Sequence, residues 1–244
     1  MNRNASKAEL ALCKLQPAFV KVLAFHKGSL DTLPFVKDAF SSLVRAIIGQ
    51  RIALDKAQQL YGALMESLAG RALTPNAMLS LGEARLGGVL RHKSKAATIV
   101  RVSKYIVDES IRLSSPRDVL ALLCVKGIGK WTVHNAVLST WPAYDLFPSG
   151  DYFLQRKLQK LLGLDHLPSP EEATKIAVDW APYRGTATWL LWRWFEDTRY
   201  DKEASCIDTS QKDDKRQMRK DFAAIGFDRD EVKWAMDEMD AHCG

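Results

Sequence analysis

The stretch V-K-G-I-G-K-W-T-V-H-N-A-V, Val125 to Val137, decides how the rest of the chain is read. Gly127 and Gly129 flank a single apolar residue, Ile128, and Lys126 and Lys130 flank the glycines. The apolar pattern of Leu120 to Val125 ends one helix, and Lys130 to Val137 opens another. Between them Gly127-Ile128-Gly129 is a turn that needs permissive backbone angles. Ile128 is placed to plug the gap between the two helices. The N–H groups of the turn and of the new helix start have no intrahelical partner, and the helix dipole makes that end an anion site. On these residues alone the simpler reading of the corner is a plain helix–helix turn closed by a glycine C-cap.

The pattern on either side is helical almost throughout. Phe40, Leu43, Val44, Ile47 and Ile48 recur at helix spacing, and a second run, Leu54 to Leu68, follows a break near Gly49. Ser94 to Ile111 repeats the period. Ser115-Pro116 and Ser169-Pro170-Glu171-Glu172 each read as a helix start, with proline in the first turn. Pro148-Ser149-Gly150-Asp151 precedes the apolar pattern Tyr152 to Leu162, so Asp151 suits a helix cap. No alternating run bounded by hairpin turns occurs. The reading is all-α.

Composition narrows the class. The chain has 244 residues, 47% of them hydrophobic, enough for a sizeable core. No apolar run has the length of a membrane span, and no segment reads as a signal peptide, so an intracellular protein is expected. The four cysteines, Cys13, Cys124, Cys206 and Cys243, form no CxxC pair, which argues against a local zinc or iron–sulfur site. The net charge of +6 is uneven. Residues 201–244 hold 8 Lys/Arg against 12 Asp/Glu, whereas residues 1–200 hold 27 against 17. The basic part suits a polyanion, and the acidic tail is a separate segment that reads as two helical patterns around Gly226.

Four segments together resemble the helix-hairpin-helix/GPD superfamily of DNA base-excision glycosylases. V-K-G-I-G-K-W-T is similar to the family's hairpin. In D-L-F-P-S-G-D-Y-F-L-Q-R, Asp151 stands twenty residues after Trp131, at the family's catalytic aspartate. F-S-S-L-V-R-A-I-I-G-Q-R-I resembles the core helix and the turn after it, and W-A-P-Y-R-G-T-A-T-W-L-L-W-R-W the late helix of the alkylpurine branch. The resemblance covers roughly residues 10–198 and is nearest to 3-methyladenine DNA glycosylase II of the AlkA type, without the β-rich N-terminal domain of some members.

The resemblance implies an architecture and a set of roles. Two helical lobes would face each other across a cleft, one spanning about 41–144 and the other joining 1–40 to 145–200, with 201–244 as a C-terminal extension. Asp151 would stabilise the positive charge that builds on the sugar as the N-glycosidic bond breaks, and orient the attacking water. Asp145 is a rival carboxylate that reads as structural. Trp131 and Trp192 would line the base pocket, where an indole face attracts a cationic alkylated purine by about 0.5–2 kcal/mol. Asn135 stands where some relatives carry Tyr. Trp189 and Trp194 read as core.

DNA contacts are expected from Lys126, Gly127, Ile128, Gly129, Lys130 and Thr132 in the hairpin, from Gln50 and Arg51 in the turn after the core helix, and from Lys93 and Lys95. Arg51 matches the position that fills the gap left by a flipped base, and a phosphate contact or a surface ion pair fits it as well. Members that also cut the strand use a lysine nucleophile at the position of Trp131, which cannot form a Schiff base, so hydrolysis without a lyase step follows. The expected substrate is duplex DNA carrying 3-methyladenine or 7-methylguanine, acted on by a monomer. No cofactor or metal ligand is read; a monovalent cation on the hairpin carbonyls is compatible with the family. A glycosylase for another lesion and a non-catalytic DNA-binding protein are the alternatives.

Overall fold

The computed structural model describes residues 7–19, 22, 38–52 and 54–194. Among them are ten α-helices and no strand, as the all-α reading expects. In chain order these are α1 (Lys7–Leu15), α2 (Ala39–Gly49), α3 (Leu54–Ser67), α4 (Pro75–Leu90), α5 (Lys93–Asp108), α6 (Pro116–Ala121), α7 (Lys130–Thr140), α8 (Tyr152–Leu162), α9 (Pro170–Val178) and α10 (Arg184–Trp192). A 3-10 turn, Leu122–Cys124, separates α6 from the corner before α7. The two helical patterns assigned to residues 201–244 lie outside the described residues.

The helix starts follow local chemistry. Ser115 and Asp118 form a reciprocal capping box on α6, and Ser169 and Glu172 form another on α9, each with proline in the first turn. Helix α4 is the element the sequence reading passed over. Thr74 caps it, but Gly82 breaks its interior with φ +72, and Gly87 and Gly88 follow. Three glycines dilute the apolar period that reveals the other helices.

Two apolar clusters organise the described residues. One is centred on the core helix α2, with Leu43, Val44, Ile47 and Ile48 fully buried, and takes in α3 to α7 as far as Val137. The other joins Leu12, Phe19 and Val22 to Leu154, Leu158, Trp180, Leu190 and Trp194. In the second cluster Trp180 meets Phe19 and Phe147 edge-on, with ring centroids 5.1 and 5.6 Å apart. Trp194 is core, as expected. Polar struts bridge the two groups of helices. Trp189 Nε1 donates to the Leu138 carbonyl at 2.9 Å, and Thr188 Oγ1 to Leu146 at 3.3 Å. Arg184 clasps Asp145 with Nε and Nη2 at 2.9 and 2.7 Å and adds its backbone N–H at 3.1 Å. Asp145 is therefore a structural carboxylate, held below the usual carboxylate range first by the Arg184 side-chain hydrogen bonds. Helix α10 can approach that loop because Gly185 has no side chain: a Cβ there would collide with the Tyr144 carbonyl oxygen.

Candidate active site and nucleic-acid interface

The corner forms as a tight turn with α7 starting at Lys130. Gly127 has φ +95, and a Cβ on it would lie 2.5 Å from Thr98 Oγ1. Glycine is required there twice, by conformation and by contact. Gly129 differs: its backbone is extended, φ −101 and ψ 172, and a Cβ there would meet open space. It is the N-cap of α7 and supplies no capping side chain, so the first N–H groups of the helix face outward uncapped. Ile128 is 6% exposed and fills the gap beneath, as its spacing implies. Lys126 and Lys130 stand exposed beside the turn. The result is a rim of N–H donors and two ammonium groups at the positive end of a helix dipole.

The carbonyls of the turn point to protein donors. Arg101 Nη1 donates to Lys126 at 2.7 Å, and Gln50 Nε2 to Gly127 at 3.1 Å. Gln50 Nε2 also donates to Thr132 Oγ1 at 2.8 Å. Helix α5 thus lies against the corner through Thr98 and Arg101, which with Lys95 recur at i, i+3 and i+6 and so share one helix face. That spacing was legible in the sequence as a basic helix; what it faced was not.

Asp151 caps α8, with Oδ1 accepting from the Leu154 N–H at 3.1 Å. Its other oxygen accepts from Trp131 Nε1 at 2.9 Å. The residue is buried, 7% exposed. Burial raises its carboxyl above the ordinary value, against the hydrogen bonds of the Leu154 backbone, the Trp131 indole, the Phe153 backbone and the Trp192 indole, which favour the charged form. The cap reading and the functional reading therefore meet in one residue. A surface cap would keep an ordinary carboxylate exposed to water; this one sits in a low-dielectric setting with two indoles on it.

Trp131 and Trp192, from different elements, converge on that carboxylate. Both rings are half-buried. Trp192 is held edge-on by Trp189, ring centroids 5.4 Å apart. Trp189 is half-buried and tethered by its indole N–H, so it does more than fill space. Asn135 lies one turn after Trp131 on the same helix face, also half-buried.

Three residues expected at the DNA have polar side-chain groups bonded within the protein. Lys95 is 7% exposed and its Nζ donates to the Ile48 carbonyl at 2.7 Å, so the ammonium caps the end of α2 inside the protein rather than facing a phosphate. Gln50 turns its amide N–H groups to Gly127 and Thr132. The Thr132 hydroxyl is buried as its partner, leaving only the Thr132 backbone on the rim. A helix-period reading shows which residues share a face but not which neighbour covers it. Lys93 is exposed at the first position of α5. Arg51 is exposed and left-handed, φ 54, immediately after Gln50. No helix among the described residues is long and apolar enough to cross a membrane, and none of their His, Cys, Asp and Glu groups is arranged to hold a metal.

No protein-family model matches the chain. Curated proteins do. DNA-3-methyladenine glycosylase 2 of Escherichia coli is 25% identical over 173 residues, 66% of this chain and 59% of that protein. A putative DNA-3-methyladenine glycosylase of Bacillus subtilis is 25% identical over 193 residues, 70% of this chain and 67% of its own. Among solved structures, the 3-methyladenine DNA glycosylase of Schizosaccharomyces pombe in complex with abasic DNA superposes with a TM-score of 0.65 at 21% identity, covering 77% of this chain and 95% of that one. The chain is thus similar in sequence to these DNA-3-methyladenine glycosylases and shares the fold of the Schizosaccharomyces pombe enzyme, while spanning only about 59% of the length of the Escherichia coli relative.

Proposed function

We propose that this relative of the 3-methyladenine DNA glycosylases is a monofunctional DNA glycosylase that hydrolyses the N-glycosidic bond of alkylated purines, acting as a monomer on duplex DNA. One observation carries the reading: a buried carboxylate, Asp151, is gripped by the indole N–H of Trp131 at 2.9 Å, and the Trp192 indole nearby favours its charged form. A base drawn between such indoles would stand beside the one group able to stabilise a cationic sugar. The relatives' names support the chemistry, and the neighbour solved with abasic DNA supports DNA as the partner.

In this reading the uncapped N–H groups of Gly129 to Thr132, with Lys126 and Lys130, grip a backbone phosphate. Arg51 enters the space of the extruded nucleotide. An alkylated purine, cationic and with a weakened glycosidic bond, stacks on Trp131 and Trp192, and Asn135 meets its edge. As the bond breaks, Asp151 stabilises the developing positive charge and orients the water that attacks the sugar. Its raised basicity suits both tasks. The backbone carbonyls of Val125, Lys126 and Gly127 each accept one protein donor, which leaves each a second lone pair, so a monovalent cation on the hairpin stays compatible with the reading. Lys130, the lysine next to Trp131, is exposed at the start of α7, and no lysine replaces Trp131 beside Asp151, so no lyase step is expected.

The test is release of bases from duplex DNA treated with a methylating agent. The wild type should free 3-methyladenine or 7-methylguanine, and Asp151→Asn should free neither while still binding DNA. Borohydride should trap no covalent complex on abasic DNA. If both proteins bind DNA alike and neither releases a base, the catalytic reading is wrong and a binding role stands in its place.

A further inference from the structure

The turn after the core helix is fastened on three sides. At its start the buried Lys95 ammonium donates to the Ile48 carbonyl, closing the end of α2. Next, Gly49 lies against the pocket wall, close enough that a Cβ on it would be 3.9 Å from Cη2 of Trp131. Then Gln50 Nε2 reaches across 77 and 82 residues of sequence to the Gly127 carbonyl and the Thr132 hydroxyl, one on the glycine corner and one on α7. Only after these three does the chain enter the left-handed residue Arg51 and become exposed. Arg51 is thus held in a left-handed conformation just past the end of α2, one that is costly for any residue with a Cβ.

We infer that Gln50 is a positioning residue that locks the turn carrying Arg51 to the phosphate-gripping corner, so that phosphate capture and base extrusion are performed by one rigid body. The inference rests on the function proposed above. The geometry explains why the side chain is a primary amide. One nitrogen with two N–H groups serves two acceptors on adjacent elements, a carbonyl and a hydroxyl. Glutamate is the same size but offers no donor, and leucine offers neither charge nor donor. Because Gln50 is bonded to the protein, its loss leaves every phosphate ligand of the corner in place. What is lost is the fixed distance between the corner and Arg51, which matters only while a paired base is being levered out.

The consequence is a split that a merely destabilising change would not produce. In Gln50→Leu, affinity for undamaged duplex should stay within about twofold, because phosphate contacts set it. Single-turnover release of 7-methylguanine paired with cytosine should fall about ten- to thirtyfold, the loss of two hydrogen bonds. The same lesion opposite an abasic analogue extrudes more easily, and there the defect should shrink to about threefold or less. Extrusion is read without chemistry by 2-aminopurine placed beside the lesion, whose fluorescence gain on binding should be reduced in the variant. Gln50→Glu should show the same pattern if Gln50→Leu fails to fold, with thermal melting of each variant as the control. Equal loss on paired and unpaired lesions, or unchanged rate and fluorescence, would overturn the inference. Failure of the wild type to release any base would refute the catalytic proposal instead, and the fluorescence arm would still decide the role of Gln50.

Discussion

Gly127→Ala is the substitution whose outcome the structure fixes most tightly. Two separate penalties act on it. Alanine at φ +95 is strained by about 1–2 kcal/mol, since its Cβ crowds the carbonyl in left-handed backbone. The new methyl would also stand 2.5, 3.0 and 3.3 Å from Oγ1, Cγ2 and Cβ of Thr98. All three atoms belong to one β-branched side chain on a helix, which has few rotamers to escape into. Its hydroxyl donates to the Ser94 carbonyl at 3.0 Å, so rotation forfeits a bond of about 1 kcal/mol. Against these, alanine lowers the entropy of the unfolded chain by about 0.4–1 kcal/mol. The net loss is about 2 kcal/mol, a fall in Tm of about 4–8 °C for a domain of this size. The assay is urea and thermal unfolding of Gly127→Ala, Thr98→Ala and the double variant. Thr98→Ala removes the clash but not the backbone strain, so the double variant should recover about 1 kcal/mol relative to additivity. A Gly127→Ala protein within 0.5 kcal/mol of wild type, or a strictly additive cycle, would refute the reasoning.

The neighbouring Gly129→Ala should behave oppositely: with extended backbone and open space it should lower stability by about 1 kcal/mol or less, while its methyl obstructs the phosphate site and weakens DNA binding, checked by melting and by filter binding. Lys130→Ala and Lys126→Ala should each flatten the salt dependence of DNA affinity by about one unit of log–log slope, whereas Lys95→Met should leave that slope unchanged while lowering the melting temperature. Base release needs Asp151 ionised, and burial raises its carboxyl, so the rate should fall on acidification at a pH above the range of an exposed aspartate. The same sign applies to folding: a raised native value means the native state holds the proton more tightly, so this group's contribution to stability is greatest at low pH and declines as pH rises through that window. Asp151→Asn, which retains an oxygen for the Leu154 cap, should therefore melt at or above the wild-type temperature at neutral pH while losing activity, as calorimetry would show. Asp145→Asn should behave in the other direction, losing about 1.5–3 kcal/mol because its carboxylate is bonded three times by Arg184, and in the wild type that contribution fades as pH drops below the ordinary aspartate value.

What the linear sequence determined is local. The helix period of α2, the serine and proline caps of α6 and α9, and the two glycines around Ile128 each act within a few residues, so they are visible without a fold. Asp151 was legible as a cap from its position before an apolar helix, and as a catalytic candidate from the resemblance of its surroundings. Helix α4 was hidden because its glycines carry no hydropathy signal, and its core-facing residues, Met78, Leu81, Leu86 and Leu90, stand out only once packed.

Only the tertiary structure decided where the polar side chains of the basic segment point. Lys95 and Lys93 are two residues apart and alike in sequence, yet one ammonium is buried on the Ile48 carbonyl and the other is exposed. Gln50 bonds residues 77 and 82 positions away, and Trp131 bonds Asp151 across twenty. A hydrogen bond is fixed by the relative placement of two elements to within a fraction of an ångström, and no local pattern encodes that distance. The helices and their turn are written in the order of the residues; the union of corner, pocket wall and carboxylate arises when α2, α5 and α8 close around α7.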